Sequence, residues 1–376
     1  MNNGNPFRPG SGMMPPYLAG REAEQTVFAE AMDMLQSGGV GKTIVMYGPR
    51  GMGKTVLLGW LKKQCQKRDI SVTEATPSTE LKSAENLPGL LLPTSWLPQE
   101  VSASAGGWLS AKWTNPDSNK QVNFREYLIQ ACQKEPQALL LDEAHTLDPD
   151  ICKELLNISQ SVAREAPFLL VLAGTPGLEP FLMSVGATFV ERSKKVGVGQ
   201  LDEQSAVDAI RLPMDNEGVT IEVELLKKIA KDAQSYPYFL QLWGDALWKV
   251  AAEHKLTELT GEEAKLAEPN VRTEKTSFYA SRYKKMEKDD DLLAAAVAVG
   301  KAFKDNDTLR SGQVIAAIAS SLNENLAEAA RRDKALELDE ELNRIDYVWQ
   351  RPESVRVQPG IPSFMTYVNE QFEDKV

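Results

Sequence analysis

Hydrophobic and polar positions divide the chain into short apolar runs and amphipathic stretches in alternation, which predicts strands and helices in turn. The run 42–47, KTIVMY, is short and β-rich, as a buried strand is. Beyond an eight-residue interruption, Val56, Leu57, Trp60 and Leu61 recur at helical spacing, with Lys62, Lys63 and Lys67 at intervening or following positions. Ala138 to Leu141 is a second apolar run and 168–174, FLLVLAG, a third, and both read as buried strands of a parallel sheet. The stretch 203–213, EQSAVDAIRLP, reads as a helix. The C-terminal part is organised differently. A polar, charged stretch over 261–291 precedes a strongly apolar helix at 292–303, then helical patterns at 311–322 and 324–345, and finally strand, turn, strand and closing helix over 347–372. Three helices followed by a two-stranded wing is a winged-helix pattern.

The interruption after the first strand is GPRGMGKT. Gly48, Gly53, Lys54 and Thr55 meet the spacing G-x-x-x-x-G-K-[ST], and the strand before and helix after are the context that makes this spacing a phosphate cradle. The glycines let successive backbone N–H groups turn toward one phosphate where a Cβ would obstruct, and the following helix adds its positive end. The cradle is Gly48, Pro49, Arg50, Gly51, Met52, Gly53, Lys54, Thr55 and Val56, with Lys54 for the β and γ phosphates and the Thr55 hydroxyl for Mg²⁺. The second apolar run ends in Asp142 and Glu143, so a buried strand delivers two carboxylates to the sheet edge where ligands of open α/β sheets bind. Asp142 suits Mg²⁺, through water, and Glu143 suits the orientation and deprotonation of an attacking water. The letters DEAH at 142–145 invite a helicase reading, but the arginine-rich motif Q-R-x-G-R-x-G-R that such helicases need is absent.

The third apolar run ends in Thr175, which resembles sensor 1 of the AAA+ ATPases, where a polar side chain positions the lytic water. Downstream, Arg192 with Lys194 and Lys195 before a strand resembles the arginine-finger region of the initiator and STAND branches of that class. With the opening NPFRPGSGMMPPYLAGREAE, these residues make the chain similar, over about 5–255, to AAA+/STAND P-loop ATPases related to origin-recognition proteins. The resemblance implies an α/β fold in which a P-loop AAA+ core with a parallel sheet carries a helical lid and a C-terminal winged-helix-like domain. It implies ATP and Mg²⁺ as ligands, hydrolysis of ATP to ADP and phosphate, Gly20 and Arg21 near the adenine, and Arg192 acting on a neighbouring protomer of a homo-oligomer. Where many AAA+ lids carry an arginine, the stretch 235–248 looks like the Gly-x-Pro lid of STAND proteins with Ser235 in place of glycine. Pro237 would then touch the nucleotide.

The resulting division is 1–20 as a segment near the adenine pocket, 21–212 as the core with a hairpin insertion at about 99–123, 213–260 as the lid, 261–289 as a linker and 290–376 as the winged-helix-like domain. The insertion is read from alternation around Gly106 and Gly107, with Trp108 and Trp113 either touching a partner or anchoring the packing.

Composition narrows the partners. At 376 residues and 42% hydrophobic content the chain has the balance of a globular protein with two or three domains. Its net charge of -11 weakens any general attraction for nucleic acid. The 324–345 pattern carries six acidic residues between Glu328 and Glu341 against Arg331, Arg332 and Lys334, so a protein-facing and a DNA-facing wing both stay open, with Arg351 and Arg356 as phosphate contacts in the second case. Cys65, Cys132 and Cys152, odd in number and widely spaced, read as reduced core residues, and His145 and His254 cannot assemble a metal cluster. No apolar run approaches the roughly 20 residues of a membrane span, and the opening lacks a signal-peptide pattern, so no membrane partner and a cytoplasmic location are expected. Two functions remain: a nucleotide-driven switch relaying its state to a partner protein, and an initiator-like ATP-dependent DNA-binding module.

Overall fold

The computed structural model describes all residues except 1–3, 11, 82–89, 92–111, 115–120, 187, 324, 353 and 374–376. Five strands form the central sheet: β1 (Ile44–Tyr47), β2 (Ser71–Ala75), β5 (Gln137–Leu141), β6 (Phe168–Gly174) and β7 (Lys194–Gly197). They are parallel throughout, in the order β2-β5-β6-β1-β7. All seven residues of β6 are buried, because helices cover both faces of the sheet. Ile44, Met46, Leu169 and Val171 pack into the same core as the Glu22–Gln36 and Lys54–Lys67 helices, while Val45, Tyr47, Leu170 and Leu172 share a second core with the Phe124–Lys134 and Pro149–Ala163 helices. The parallel strands point the same way, so β1, β5 and β6 bring Gly48, Asp142 and Thr175 to one edge of the sheet.

Within the insertion, β3 (Lys112–Thr114) and β4 (Gln121–Asn123) pair antiparallel. The anticipated turn at Gly106 and Gly107, and Trp108, lie outside the described residues, as does the side chain of Trp113. No helix among the described residues is long and apolar enough to cross a membrane.

The lid consists of the helices Glu203–Asn216, Val223–Asp232 and Pro237–His254, tied by a short parallel pair, β8 (Thr220–Ile221) and β9 (Glu258–Leu259). The anticipated core–lid boundary at 212/213 falls inside the first of these, which continues through Pro213. The opening segment lies against the lid. Asn5 Nδ2 donates to Asp245 Oδ1 at 2.7 Å, and Phe7, 2% exposed, lies against Gly244, where an added Cβ would stand 2.3 Å from its ring.

Residues 261–286, anticipated as a linker, are one continuous helix of 26 residues, Gly261–Met286. A capping box between Thr260 and Glu263 starts it, and it tolerates Pro269 in its interior. Its aromatic side chains join the lid to the C-terminal domain: Phe239 meets Tyr279 at 5.9 Å between ring centroids, and Tyr279 stacks on Phe364 at 5.8 Å. The Tyr279 hydroxyl also donates to the Pro362 carbonyl at 2.8 Å.

The C-terminal domain is a winged-helix arrangement built on the apolar Asp290–Phe303 helix, with the helices Ser311–Ser321 and Glu328–Arg344 and a closing Phe364–Glu373 helix. Its wing has three strands, β10 (Leu309–Arg310), β11 (Val348–Gln350) and β12 (Arg356–Pro359), in the antiparallel order β10-β12-β11. The pattern shows two of them, because a two-residue strand leaves no periodicity to read.

Gly244→Ala tests the opening segment. In a helix interior free of neighbours this change adds about 1 kcal/mol of stability. Here the Cβ must displace Phe7, so we expect no such gain and faster chymotryptic cleavage after Phe7, measured by mass spectrometry of limited digests.

Candidate functional site

Between β1 and the Lys54–Lys67 helix the chain makes a tight turn over residues 48–53. Gly51 and Gly53 sit at φ of +84° and +95°, which glycine adopts without the penalty a Cβ brings. A Cβ on Gly48 would stand 2.0 Å from the Val198 carbonyl oxygen, so glycine is also required where the turn passes the segment after β7. The carbonyls of the turn are engaged by side chains. Lys54 Nζ donates to the carbonyls of Gly48 at 2.7 Å and Pro49 at 3.0 Å. The Tyr236 hydroxyl donates to the Arg50 carbonyl, and Arg21 Nη2 donates to that of Met52 at 2.8 Å. The N–H groups of Gly51 and Gly53, on the same planar peptides as the Arg50 and Met52 carbonyls, are thereby turned to the opposite side, the geometry of an anion nest.

Beside this turn, Thr55 Oγ1 and Asp142 Oδ2 are 2.5 Å apart, so the first residue pair implicated in Mg²⁺ binding comes together from two separate strand–helix units. Glu143 follows with φ of +50°, an uncommon conformation for a residue with a side chain. Its carboxylate lies 3.8 Å from Arg50 Nη2 and 3.4 Å from His145 Nε2. His145 in turn accepts from the Thr175 backbone N–H at Nδ1, 3.4 Å away, and so connects the end of β6 to Glu143. Burial holds the His145 pKa below its ordinary value despite the neighbouring Glu143 carboxylate. Lys54 is 5% exposed, and burial lowers its pKa while Asp346, Glu143 and Asp142 counter the effect.

A cavity of about 410 Å³ opens over the turn. Gly51 to Val56 and Glu143 line one side, Gly10, Met13 and Tyr17 of the opening segment another, and Pro237, Tyr238 and Phe278 a third. The backbone nest, the buried ammonium and the paired hydroxyl and carboxylate suit a nucleotide polyphosphate with a hard cation. Among the described residues no group of three or more His, Cys, Asp or Glu side chains could hold a metal ion. A cation at Thr55 and Asp142 would therefore take further oxygens from phosphate and water, as Mg²⁺ commonly does.

Several anticipated residues sit differently. Arg21 lines the cavity, yet its guanidinium is committed to Met52, to the Gly199 carbonyl at 2.7 Å and to Glu24, so it braces the turn. Gly20, at φ +61°, packs against Ser205 rather than the cavity. Thr175 is fully buried below the site, its hydroxyl without a hydrogen-bond partner. Arg192 ends a short 3₁₀ turn, Thr188–Arg192, and is exposed, away from the residues lining its own cavity; Lys194 and Lys195 lie in β7 itself. The pattern gave no sign of Tyr236 as a brace or of Asp346, whose carboxylate from the C-terminal domain lies 3.9 Å from Arg50 Nε. Neither belongs to a local motif.

Comparison with known proteins bears on the fold. Residues 39–182 match the family model described as an AAA domain. No curated protein matches. Among solved structures, a Walker-type ATPase of Pyrococcus abyssi superposes with a TM-score of 0.59 at 13% identity, covering 93% of this chain and 96% of that one. The ORC2 protein of Aeropyrum pernix, in ADPNP and ADP complexes, gives 0.58 at 14% identity, covering 98% and 99%. Cdc6p of Pyrobaculum aerophilum gives 0.52 at 14%, covering 96% and 97%. Residues 39–182 are thus similar to an AAA domain, in a chain whose fold resembles that of the ORC2 and Cdc6p proteins.

Proposed function

We propose that the chain is an ATP-binding and ATP-hydrolysing switch that assembles with itself and relays its nucleotide state to a partner protein through its C-terminal domain. The observation that carries this reading is the convergence of Lys54, the Thr55–Asp142 pair and Glu143 on one nest of backbone amides. In this mechanism the nest and Lys54 bind the β and γ phosphates of ATP. Thr55 and Asp142 would hold Mg²⁺, which neutralises charge on the phosphate oxygens. Glu143 orients a water and takes its proton as the water oxygen bonds to the γ phosphorus and the bond to the ADP oxygen breaks, giving ADP and phosphate. His145, kept neutral by burial and accepting at Nδ1, carries its proton on Nε2, facing Glu143, and so fixes the carboxylate's orientation. Thr175 acts through the same histidine. Gly20 and Pro237 shape the base side of the cavity, the first by letting the opening segment pack closely on Ser205.

Arg192, exposed and away from its own cavity, is suited to complete the site of a neighbouring protomer, which makes turnover depend on assembly. The relay to the C-terminal domain is favoured over reading of duplex DNA by the placement of Arg351. Its guanidinium packs on Gly199 of the core and lies 5.8 Å from the centre of the Trp349 ring, which leaves Arg310 and Arg356 as the exposed arginines of the wing strands. Salt-dependent duplex binding that requires ATP and is lost in Arg356→Ala would reverse that preference.

Lys54→Ala is expected to abolish binding of a fluorescent ATP analogue. Glu143→Gln keeps that binding and lowers phosphate release by about 10²-fold or more, the scale of general-base catalysis; equal turnover in the variant removes Glu143 as the base. Arg192→Ala is expected to lower turnover by about 10³-fold at protein concentrations where assemblies dominate, and far less in dilute solution. A rate independent of Arg192 at high concentration withdraws its action on a neighbour.

A further inference from the structure

The turn that joins the Glu328–Arg344 helix to β11 reaches from the C-terminal domain onto the phosphate turn. Asp346 lies at its tip with φ of +63° and is 1% exposed. Neither of its carboxylate oxygens has a side-chain hydrogen-bond partner, and the Arg50 backbone N–H is close enough to act on them; Arg50 Nε stands 3.9 Å from Oδ2, and Lys54 and Arg282 are the other cations that act on it. A buried carboxylate in this state depends on those cations. Burial raises its pKa, and Lys54, Arg50 and Arg282, in that order, oppose the rise.

Two of the three cations belong to the phosphate turn. On the reading proposed above, an incoming triphosphate recruits Lys54 and brings negative charge beside Arg50. Asp346 is then left without its counter-charge, next to groups of its own sign and out of water, which is the least favourable setting for a carboxylate. The side chain is carried on a fixed backbone. Asp346 N–H donates to the Asn343 carbonyl at 3.1 Å, Gly360 N–H donates to the Tyr347 carbonyl at 3.0 Å, and a Cβ on Gly360 would stand 2.0 Å from the Asp346 carbonyl oxygen. Displacement of the carboxylate is therefore transmitted to the turn. Near Asp346 the turn meets the core through packing, Arg344 on Gly177 and Arg351 on Gly199, which resists separation less than an ion-pair network does. The Tyr279–Phe364 stack and the Tyr279–Pro362 hydrogen bond tie the domain to the Gly261–Met286 helix and would act as the hinge, with Phe364 also meeting Tyr347 edge-on at 5.7 Å.

We propose that Asp346 is a charge latch, a carboxylate of the C-terminal domain that holds the domain on the empty phosphate turn through Arg50 and Lys54 and is expelled when a triphosphate takes the same cations. This inference rests on the phosphate-turn reading and gives the relay its physical device.

The test uses the full chain, with amide hydrogen exchange over residues 345–361 and equilibrium binding of a fluorescent ATP analogue. In the wild type, a non-hydrolysable ATP analogue with Mg²⁺ is expected to raise exchange over 345–361, and Lys54→Ala to show no such response. Asp346→Asn keeps the shape, and asparagine tolerates the left-handed backbone, so the fold is retained. It is expected to raise exchange over 345–361 without nucleotide and to bind the analogue about tenfold more tightly, the scale of one partly screened like-charge repulsion. Exchange that nucleotide leaves unchanged or lowers, or affinity in Asp346→Asn no tighter than wild type, overturns the latch while the phosphate turn stands. Absence of nucleotide binding by the wild-type chain overturns both.

Discussion

A tight turn outside helix and sheet cannot hold its own shape, because its peptide groups lack the partners that would satisfy them in either. Everything around residues 48–53 follows from that constraint. The carbonyls of Gly48 and Pro49 accept from Lys54, that of Arg50 from Tyr236, and that of Met52 from Arg21. The donors come from the following helix, the lid and the first helix of the core. The curvature of one short loop is thus fixed by segments almost two hundred residues apart in sequence, and each of them feels any change in that loop.

This explains why the cavity is a product of the whole chain. The opening segment packs Phe7 on Gly244 of the lid and contributes Gly10, Met13 and Tyr17 to the cavity wall. The lid contributes Pro237 and Tyr238 and anchors the turn through Tyr236. A Cβ on Gly51 would come within 2.7 Å of the Tyr236 hydroxyl, so glycine there serves the lid contact as well as the backbone conformation. Movement of the lid cannot leave the phosphate turn unaffected. The aromatic series from Phe239 through Tyr279 to Phe364 extends the same mechanical connection to the C-terminal domain.

What was legible in the sequence is what short-range pattern encodes. The strands β1, β5 and β6 announce themselves as apolar runs because both faces of the sheet are covered, and the Gly-rich turn is visible because its conformation leaves few residue choices. Contacts made over long sequence distances leave no such trace. Tyr236 reads as one more aromatic residue ahead of a proline, and Asp346 as one more acid in an acidic chain. The polar, charged stretch 261–289 reads as a linker, yet 261–286 is helical, and both Pro213 and Pro269 lie within helices whose tertiary packing and capping outweigh the lost hydrogen bond. The position of Arg21 shows a different limit, since resemblance placed it near a ligand and its guanidinium is instead directed to the loop that would bind that ligand.

The surroundings of Glu143 connect the two ends of this reasoning. The Glu143 carboxylate faces the Arg50 guanidinium at 3.8 Å and is held by its charge. Arg50 also faces Asp346 at 3.9 Å, so one half-exposed guanidinium is shared between the candidate base and the C-terminal domain. On the proposed reading, phosphates bound in the turn compete for that guanidinium with both acids at once. Drawing Arg50 toward phosphate weakens its hold on Glu143 and on Asp346 together, so the change that frees the candidate base is the same change that loosens the domain. The chemistry and the relay would then be two consequences of where a single side chain points.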